Sequence, residues 1–345
     1  MSARSTAMGG AVDALSPDLG DIAENPAATA AMKKRTISIA AARETHDFRG
    51  VQLVNGAPTT NIYALERKAL AHAAIAIPFR SLSLGAYYRN EPTIDGPYGT
   101  PIDRSPAAAY APVECTGDCG YASGIFPSFQ RRERSYGVTA GWELGTLSLG
   151  AGAEMQELDE HYSEPRLVFG GGNGSQSERF FSDVSDRRVV PNAGLRWRVA
   201  PRVAFALAYN GGGSFTRTTG ACNTSFPEFG VCSSRIAVTA TSRQRMPDAY
   251  RAAITVQPLQ RLVLAGEVVR RDATEIHAGA EYRLGSLPIA VRAGWWRDPA
   301  RLAEQRTLEH TTYGAAFYGK NARLDLAFDE SEETRRASIA LVHSF

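Results

Sequence analysis

The sequence lacks a long hydrophobic run and an excess of one charge. Its most apolar stretch, 69–79, is bounded by Lys68 and Arg80, whereas a membrane-spanning helix needs about 20 apolar residues. The 38 Lys and Arg residues almost balance the 36 Asp and Glu residues, for a net charge of +2. We therefore expect no transmembrane helix, and nucleic acid is not an expected partner.

Cysteine and histidine are scarce, with four and six residues. The histidines are scattered, and no nucleophile and base can be assembled into a catalytic arrangement or a metal-ligand set. We therefore expect no enzyme activity, no metal and no cofactor. Residues 1–30 also lack a basic start followed by an apolar core, so a signal peptide is expected to be absent from this numbering.

Alternation of apolar and polar residues is what the sequence does contain. In 146–156, Leu147, Leu149 and every second residue after them are apolar, and the residues between are small or polar. This period of two places the two sets on opposite faces of a β-strand. It predicts fourteen strands near 34–46, 64–78, 81–90, 132–144, 146–158, 180–199, 202–210, 243–257, 261–271, 274–284, 287–297, 308–318, 322–330 and 335–345.

The connections between these strands alternate between short and long. Short turns follow every even strand, and the long connections 91–131, 159–179 and 211–242 are rich in Gly, Pro, Ser and Thr. A soluble β-sandwich has no reason to sort its connections this way. The pattern favours an all-β protein, a transmembrane antiparallel β-barrel of about 14 strands in the outer membrane, with the long loops extracellular and with lipid and lipopolysaccharide around it.

Both ends of the chain resemble a known family. The last strand alternates apolar residues and ends in Phe345, like the C-terminal signal of outer-membrane barrels. The first thirty residues include Ala7 to Ala11 (AMGGA) and Asp21 to Ala27 (DIAENPA). This N-terminal sequence is similar to that of the FadL-type outer-membrane channels, and Met246 to Arg251 resembles a later strand of that family.

The resemblance implies a plug segment, 1–32, inside a barrel formed by 33–345. In that family hydrophobic compounds, long-chain fatty acids or aromatic hydrocarbons, pass without energy input and leave sideways beside a kinked third strand. The resemblance assigns Asn25, Pro26 and Ala27 to the plug and its gate. Gly85 is the position where the third strand can bend, and the alternative is that it only relieves packing on the crowded inner face. The alternative is a barrel of the same class that holds a protein partner in a secretion or assembly complex.

The N-terminal segment itself has weak helical spacing. Val12, Leu15, Leu19 and Ile22 recur every three or four residues, which predicts short helical turns that pack one face against the wall. Pro26 restricts its own φ and that of Asn25. We therefore expect this dipeptide to form a turn before the first strand.

Several basic residues are predicted to face the lumen. They are candidates for binding the polar head of a ligand: Arg196, Arg251, His277, Arg283 and Arg292. The alternative is a ladder of internal ion pairs with Glu143, Glu154, Glu267, Glu281 and Asp325, because buried charges in a narrow barrel need compensation.

The four cysteines form two close pairs, Cys115 with Cys119 and Cys222 with Cys232. Both pairs fall in predicted extracellular loops, where an even number of cysteines is typical of disulfides. Local bridges within each pair are the prediction, and free thiols are the alternative.

Overall fold

The computed structural model describes residues 2–15, 18–54, 57–96, 120–123, 128–169, 176–224, 232–299 and 307–345. These residues form seventeen strands and three short helical turns. The helical turns are α1 Ala3–Ala7, a 3-10 turn Leu19–Asp21 and α2 Ala27–Ala30. The strands are β1 Thr36–Val54, β2 Ala57–Phe79, β3 Leu82–Gly96, β4 Gly120–Ser123, β5 Ser128–Leu144, β6 Leu147–Phe169, β7 Gln176–Ala200, β8 Val203–Asn210, β9 Ser214–Thr224, β10 Cys232–Arg245, β11 Ala249–Leu259, β12 Leu262–Arg270, β13 Thr274–Arg283, β14 Ile289–Asp298, β15 Leu308–Tyr318, β16 Ala322–Glu330 and β17 Thr334–Ser344.

The strands close into an antiparallel barrel. β1 pairs with β2 on one side and with β17 on the other, where Thr36 lies opposite Ser344. β8 continues into β9, since both pair with β7, and β10 continues into β11. With each of these two pairs counted as one strand and the short β4 set aside, fourteen strands surround the lumen in the described chain. The predicted strand number is confirmed.

The two faces of the wall differ as the alternation predicts. Leu341, Val189 and Trp197 on the outer face are each at least half exposed, while inner-face residues such as Ala340 and Asn192 are small or polar and buried. Exposed aromatic residues occur near both ends of the outer face, such as Trp142 at one end and Tyr136 toward the other. An apolar belt with aromatic residues at its borders is typical of a barrel that spans a membrane.

One end of the barrel has only short turns, and we call it the turn end. Arg80, Gly145 and Gly285 occupy turns there with positive φ values of 57°, 66° and 55°. The last residue also lies at this end, where the Phe345 nitrogen donates to the Arg35 carbonyl oxygen at 2.9 Å.

The opposite end differs from the prediction. The connections 159–179 and 211–242 were expected to be loops, but β6 and β7 continue pairing from Leu147 to Val168, and β9 and β10 form a hairpin across most of the second range. Polar and glycine-rich strands that extend beyond the apolar belt need no alternation of apolar residues. The period-two signal therefore ends before the strands do.

The N-terminal segment, defined as residues 2–32, lies inside the barrel. α1 contacts β14 to β17, whereas α2 contacts β3 and β5 to β7 on the opposite side of the lumen. Almost all of its described residues are buried. No helix in the described residues has the length and apolar character needed to cross a membrane.

Candidate functional site

Asn25, Pro26 and Ala27 form a turn that starts a helix. The Ala27 nitrogen donates to Asn25 Oδ1 at 3.0 Å, and Pro26 has a φ of −63° immediately before α2. In the same way, the Gly20 nitrogen donates to Asp18 Oδ1 at 2.9 Å before the 3-10 turn. The dipeptide Asn25–Pro26 is thus separated from β1 by α2, a short helix that the sequence reasoning did not predict.

Inward-facing glycines of the wall allow the N-terminal segment to pack closely against it. Gly141, Gly150 and Gly194 lie directly opposite one another in β5, β6 and β7. A Cβ atom on Gly150 would overlap the backbone of Pro26 and Ala27. Only strands without side chains at this level allow the helix backbone to approach so closely.

A second group of inward glycines lies under α1 and the residues after it. Gly279 and Gly294 face each other in β13 and β14, and a Cβ on Gly279 would lie 2.5 Å from the Met8 carbonyl oxygen. Gly9 adopts a positive φ of 60° where it passes these strands. Sequence reasoning placed such glycines only among the small or polar residues of the alternating strands. The signal that identifies them is a glycine on the inward face of adjacent strands at the same register.

Buried ion pairs fix the N-terminal segment to the wall. Arg4 lies 3.2 Å from Glu281 and 3.8 Å from Asp18, and Asp18 also pairs with Arg323 of β16. Burial acts to raise the pKa of the Asp18 carboxyl, but the charges of Arg323 and Arg4 hold that pKa below its usual range. Asp18 is therefore ionised at neutral pH and links the segment to the wall by charge.

Two other carboxyl groups of the segment are less well compensated. Asp13 is 5% exposed, and neither of its carboxylate oxygens has a hydrogen-bond partner among the described residues. Burial and the nearby Glu267 raise the pKa of Asp13, and burial and Asp18 raise the pKa of Asp21. These two groups bind protons more tightly while the segment is in place.

The apolar residues of the segment divide between two walls. Val12 and Leu15 pack with Met8 against β12, whereas Leu19 and Ile22 pack against β2 and β3. The expectation of one helical face on one wall is wrong, because the two pairs pack against different strands and, among the described residues from 12 to 22, only Leu19–Asp21 is helical. Contacts on both sides of the lumen hold the segment across it.

Two of the predicted lumen arginines are buried in close ion pairs. Arg251 Nη1 lies 2.8 Å from Glu267 Oε1. Arg292 is fully buried, with its Nε 2.8 Å from Glu281 Oε2 and its Nη1 2.6 Å from Asp325 Oδ1. The alternative of an internal ion-pair ladder describes these two residues.

The other three predicted residues have different surroundings. The Arg196 Nε donates to the Ala14 carbonyl oxygen at 3.3 Å, and His277 Nδ1 lies 2.6 Å from the Gly9 carbonyl oxygen. Arg283 lies at the turn end with its side chain 60% exposed, and its Nε is 4.0 Å from Glu281 Oε1. Arg196 and His277 hold the N-terminal segment, and a role of any of the five in ligand binding stays a prediction.

Gly85 contacts the N-terminal segment from within a regular ladder. Its pairing with Ala76 of β2 and Thr139 of β5 continues without a break. A Cβ at this position would lie 3.2 Å from Thr29 Cγ2 and 3.3 Å from Ile22 Cδ1. Close packing is the observed reason for this glycine, and its use as a bend stays a prediction.

A fork in the wall lies four residues further along β3. The ladder between β2 and β3 runs from Phe79 and Leu82 to His72 and Arg89, and no described residue of β2 before His72 pairs with β3. β2 continues to pair with β1, and β3 continues to pair with β5 as far as Gly96. The two strands therefore separate partway up the wall.

Polar side chains lie on the lumen side of this fork. His72 is 1% exposed, and neither ring nitrogen has a hydrogen-bond partner among the described residues. Arg89 Nη2 lies 3.3 Å from Glu154, and its Nη1 lies 3.8 Å from Glu24 of the N-terminal segment. Tyr87 also donates to Glu154 at 2.6 Å. Sequence reasoning missed this cluster, because the residues come from distant strands and share only an inward register.

The cysteine predictions lie outside what the structure describes. Cys115 and Cys119 are not among the described residues, and only the backbone is described for Cys222 and Cys232. The two disulfides stay predictions. Within the described residues, no group of three or more His, Cys, Asp or Glu side chains is arranged to hold a metal ion.

The fold and the apolar belt define a membrane-spanning β-barrel with a segment of its own chain in the lumen. Solved structures with this fold include a FadL homologue of Pseudomonas aeruginosa (TM-score 0.73, 11% identity, covering 100% of this chain and 98% of that one). The toluene transporter TbuX of Ralstonia pickettii (0.69, 16%, 100% and 98%) and the toluene transporter TodX of P. putida (0.64, 13%, 100% and 98%) are also similar. At these identities the likeness establishes the fold. No family model and no curated protein matches the sequence.

Proposed function

We propose that this protein is a passive outer-membrane channel for hydrophobic small molecules, fatty acids or aromatic hydrocarbons. The observation that carries the proposal is the fork between β2 and β3 in a barrel whose lumen is crossed by the N-terminal segment. Similar folds occur in proteins described as toluene transporters, which supports a cargo of this class.

The fork offers a route from the lumen to the lipid. Below it, Leu19 and Ile22 of the N-terminal segment pack with Ala76 and Tyr87 on the inner face of β2 and β3. An apolar molecule gains about 25 cal/mol for each Å² kept out of water. A path from this apolar cluster through the wall into the membrane keeps the cargo out of the aqueous compartment.

The N-terminal segment is the gate in this proposal. It is held by the ion pairs of Arg4 and Asp18 and by backbone contacts such as the Val12 nitrogen with Glu267 Oε2 at 3.3 Å. A ligand opens such a gate only if it binds more tightly to the open state. We infer that the cargo competes for the apolar surface that Leu19 and Ile22 now cover.

A cross-link across the fork tests the lateral route. Beyond the last pair, His72 with Arg89, β2 has a bulge at Ala71, so the next outward residues on the two sides of the fork are Leu70 and Asn90. A reducible bismaleimide between Leu70→Cys and Asn90→Cys should bridge the opening. Uptake of radiolabelled toluene or oleate by cells should fall with the cross-link and return on reduction. The matched control joins Arg270→Cys and Thr274→Cys, which lie opposite each other in an intact ladder. Full uptake with the fork cross-linked would contradict lateral release.

A further inference from the structure

We propose that a cavity at the turn end binds a small multivalent anion with phosphate or carboxylate groups. The cavity has a volume of about 300 Å³ and lies between the N-terminal segment and the wall. Its charged lining consists of Glu281 and six arginines: Arg4, Arg196, Arg198, Arg202, Arg261 and Arg283. It is separate from the fork and from the apolar cluster beside the fork.

Within the described residues, ion pairs neutralise only part of this positive charge. Glu281 is the one carboxylate in the lining, and it already lies 2.8 Å from Arg292 and 3.2 Å from Arg4. No ion pair with a described residue involves the side chain of any of four lining arginines: Arg196, Arg198, Arg202 and Arg261. Clustered guanidinium groups without carboxylates repel one another, and an anion between them removes that cost.

A buried hydroxyl group is available in the same cavity. Thr255 lines it, is 9% exposed, and has no hydrogen-bond partner for its Oγ1 among the described residues. A buried hydroxyl that makes no hydrogen bond costs about 1–3 kcal/mol. An oxygen of a bound anion would accept its hydrogen bond, so Thr255 is an independent indication of a polar ligand.

The size and the donors define the class of anion. A volume of about 300 Å³ is enough for phosphate or a compact di- or tricarboxylate, and the charged lining disfavours an acyl chain. Guanidinium groups bind such oxygens through paired hydrogen bonds, which chloride cannot accept in the same geometry. The ligand is therefore distinct from the hydrophobic cargo.

Binding at this cavity is coupled to the N-terminal segment. Arg4, Ala14 and Leu15 of the segment form part of the lining, opposite Arg196 and Arg261 of the wall. If the segment leaves the lumen, the cavity loses these residues. An anion that binds only the complete cavity stabilises the segment in place and reduces channel opening.

Isothermal titration calorimetry on the full chain in zwitterionic nanodiscs tests the site, with inorganic phosphate and citrate as probes at constant ionic strength. We expect saturable binding that is at least tenfold weaker in the double variant Arg198→Gln/Arg261→Gln. Both residues are exposed, so folding should be unaffected, and Arg243→Gln, an exposed arginine elsewhere, is the control that should bind normally.

Three results would overturn the proposal: no saturable binding, equal binding by chloride, or equal affinity in the double variant. Repeating the titration in nanodiscs with phosphatidylglycerol separates the sources of phosphate. We expect unchanged affinity, whereas competition by this lipid would assign the arginines to a headgroup and refute a solute site. The titration contains no hydrophobic cargo, so its failure leaves the channel proposal intact.

Discussion

Replacing Gly150 by alanine should loosen the N-terminal segment without weakening the barrel. The new Cβ would overlap the backbone of Pro26 and Ala27, and backbone atoms cannot turn away as a side chain can. Overpacking costs about 1–3 kcal/mol, and backbone overlap places this change near the upper limit. With about 1.4 kcal/mol for each tenfold change in an equilibrium, the segment should leave its position roughly 100-fold more often. Single-channel recordings in planar bilayers would show this as more frequent opening to small ions.

Gly266→Ala is the matched control for this experiment. Gly266 lies in a strand like Gly150, but a Cβ there meets only Ile254 Cγ2, at an ordinary 3.8 Å. Its conductance should equal that of the unchanged protein. If Gly150→Ala folds normally, as judged by circular dichroism and heat-dependent gel mobility, and conducts no more than Gly266→Ala, the close packing of the segment on β6 does not control the lumen.

Three further predictions concern the same segment. Asp18→Asn breaks a buried ion pair, a change that costs about 3–5 kcal/mol, and should increase channel opening in bilayer recordings. The control Glu330→Gln, whose pair with Arg335 is mostly exposed, should leave opening unchanged. Equal opening of the two variants would exclude Asp18 as an anchor of the segment. The pKa values of Asp13 and Asp21 are raised while the segment is in the lumen. The segment should therefore be held more tightly, and conductance should fall, as pH decreases through those raised pKa values toward the ordinary value of about 4. Asp18, whose pKa is lowered, should loosen the segment only at pH values below about 4. The double variant Asp13→Asn/Asp21→Asn should remove the dependence of conductance on pH. A dependence that persists in this variant would assign it to other groups. Deletion of residues 2–24 should raise conductance strongly and abolish selective uptake of hydrophobic compounds, and an unchanged conductance in a folded deletion variant would contradict the plug.

The strands could be predicted because each spans a membrane. Where lipid meets one face, as in β6 from Leu147 to Met155, alternation is strict and the sequence alone identifies the strand. Beyond the belt, β9 and the part of β6 after Leu158 lack a strict alternation of apolar residues. Their pairing is set by the neighbouring strands, so the sequence alone predicts a loop in these regions.

The contacts of the lumen were less predictable because they join residues far apart in the chain. The pair of Asp18 with Arg323 and the approach of Ala27 to Gly150 depend on strand register and on the path of the N-terminal segment. Inward-facing charges could be recognised one strand at a time. Their partners could not, and the fork beyond His72 and Arg89 leaves no mark in the alternation.

Uptake by cells with an intact lipopolysaccharide layer tests the central claim most directly. Cells that produce the full chain and cells that lack it are compared for entry of radiolabelled toluene or oleate and of a small sugar. We predict faster entry of the hydrophobic compound and unchanged entry of the sugar. Equal entry of the hydrophobic compound with and without the protein, once its presence in the outer membrane is established, or an equal gain for the sugar, would contradict a channel selective for hydrophobic molecules.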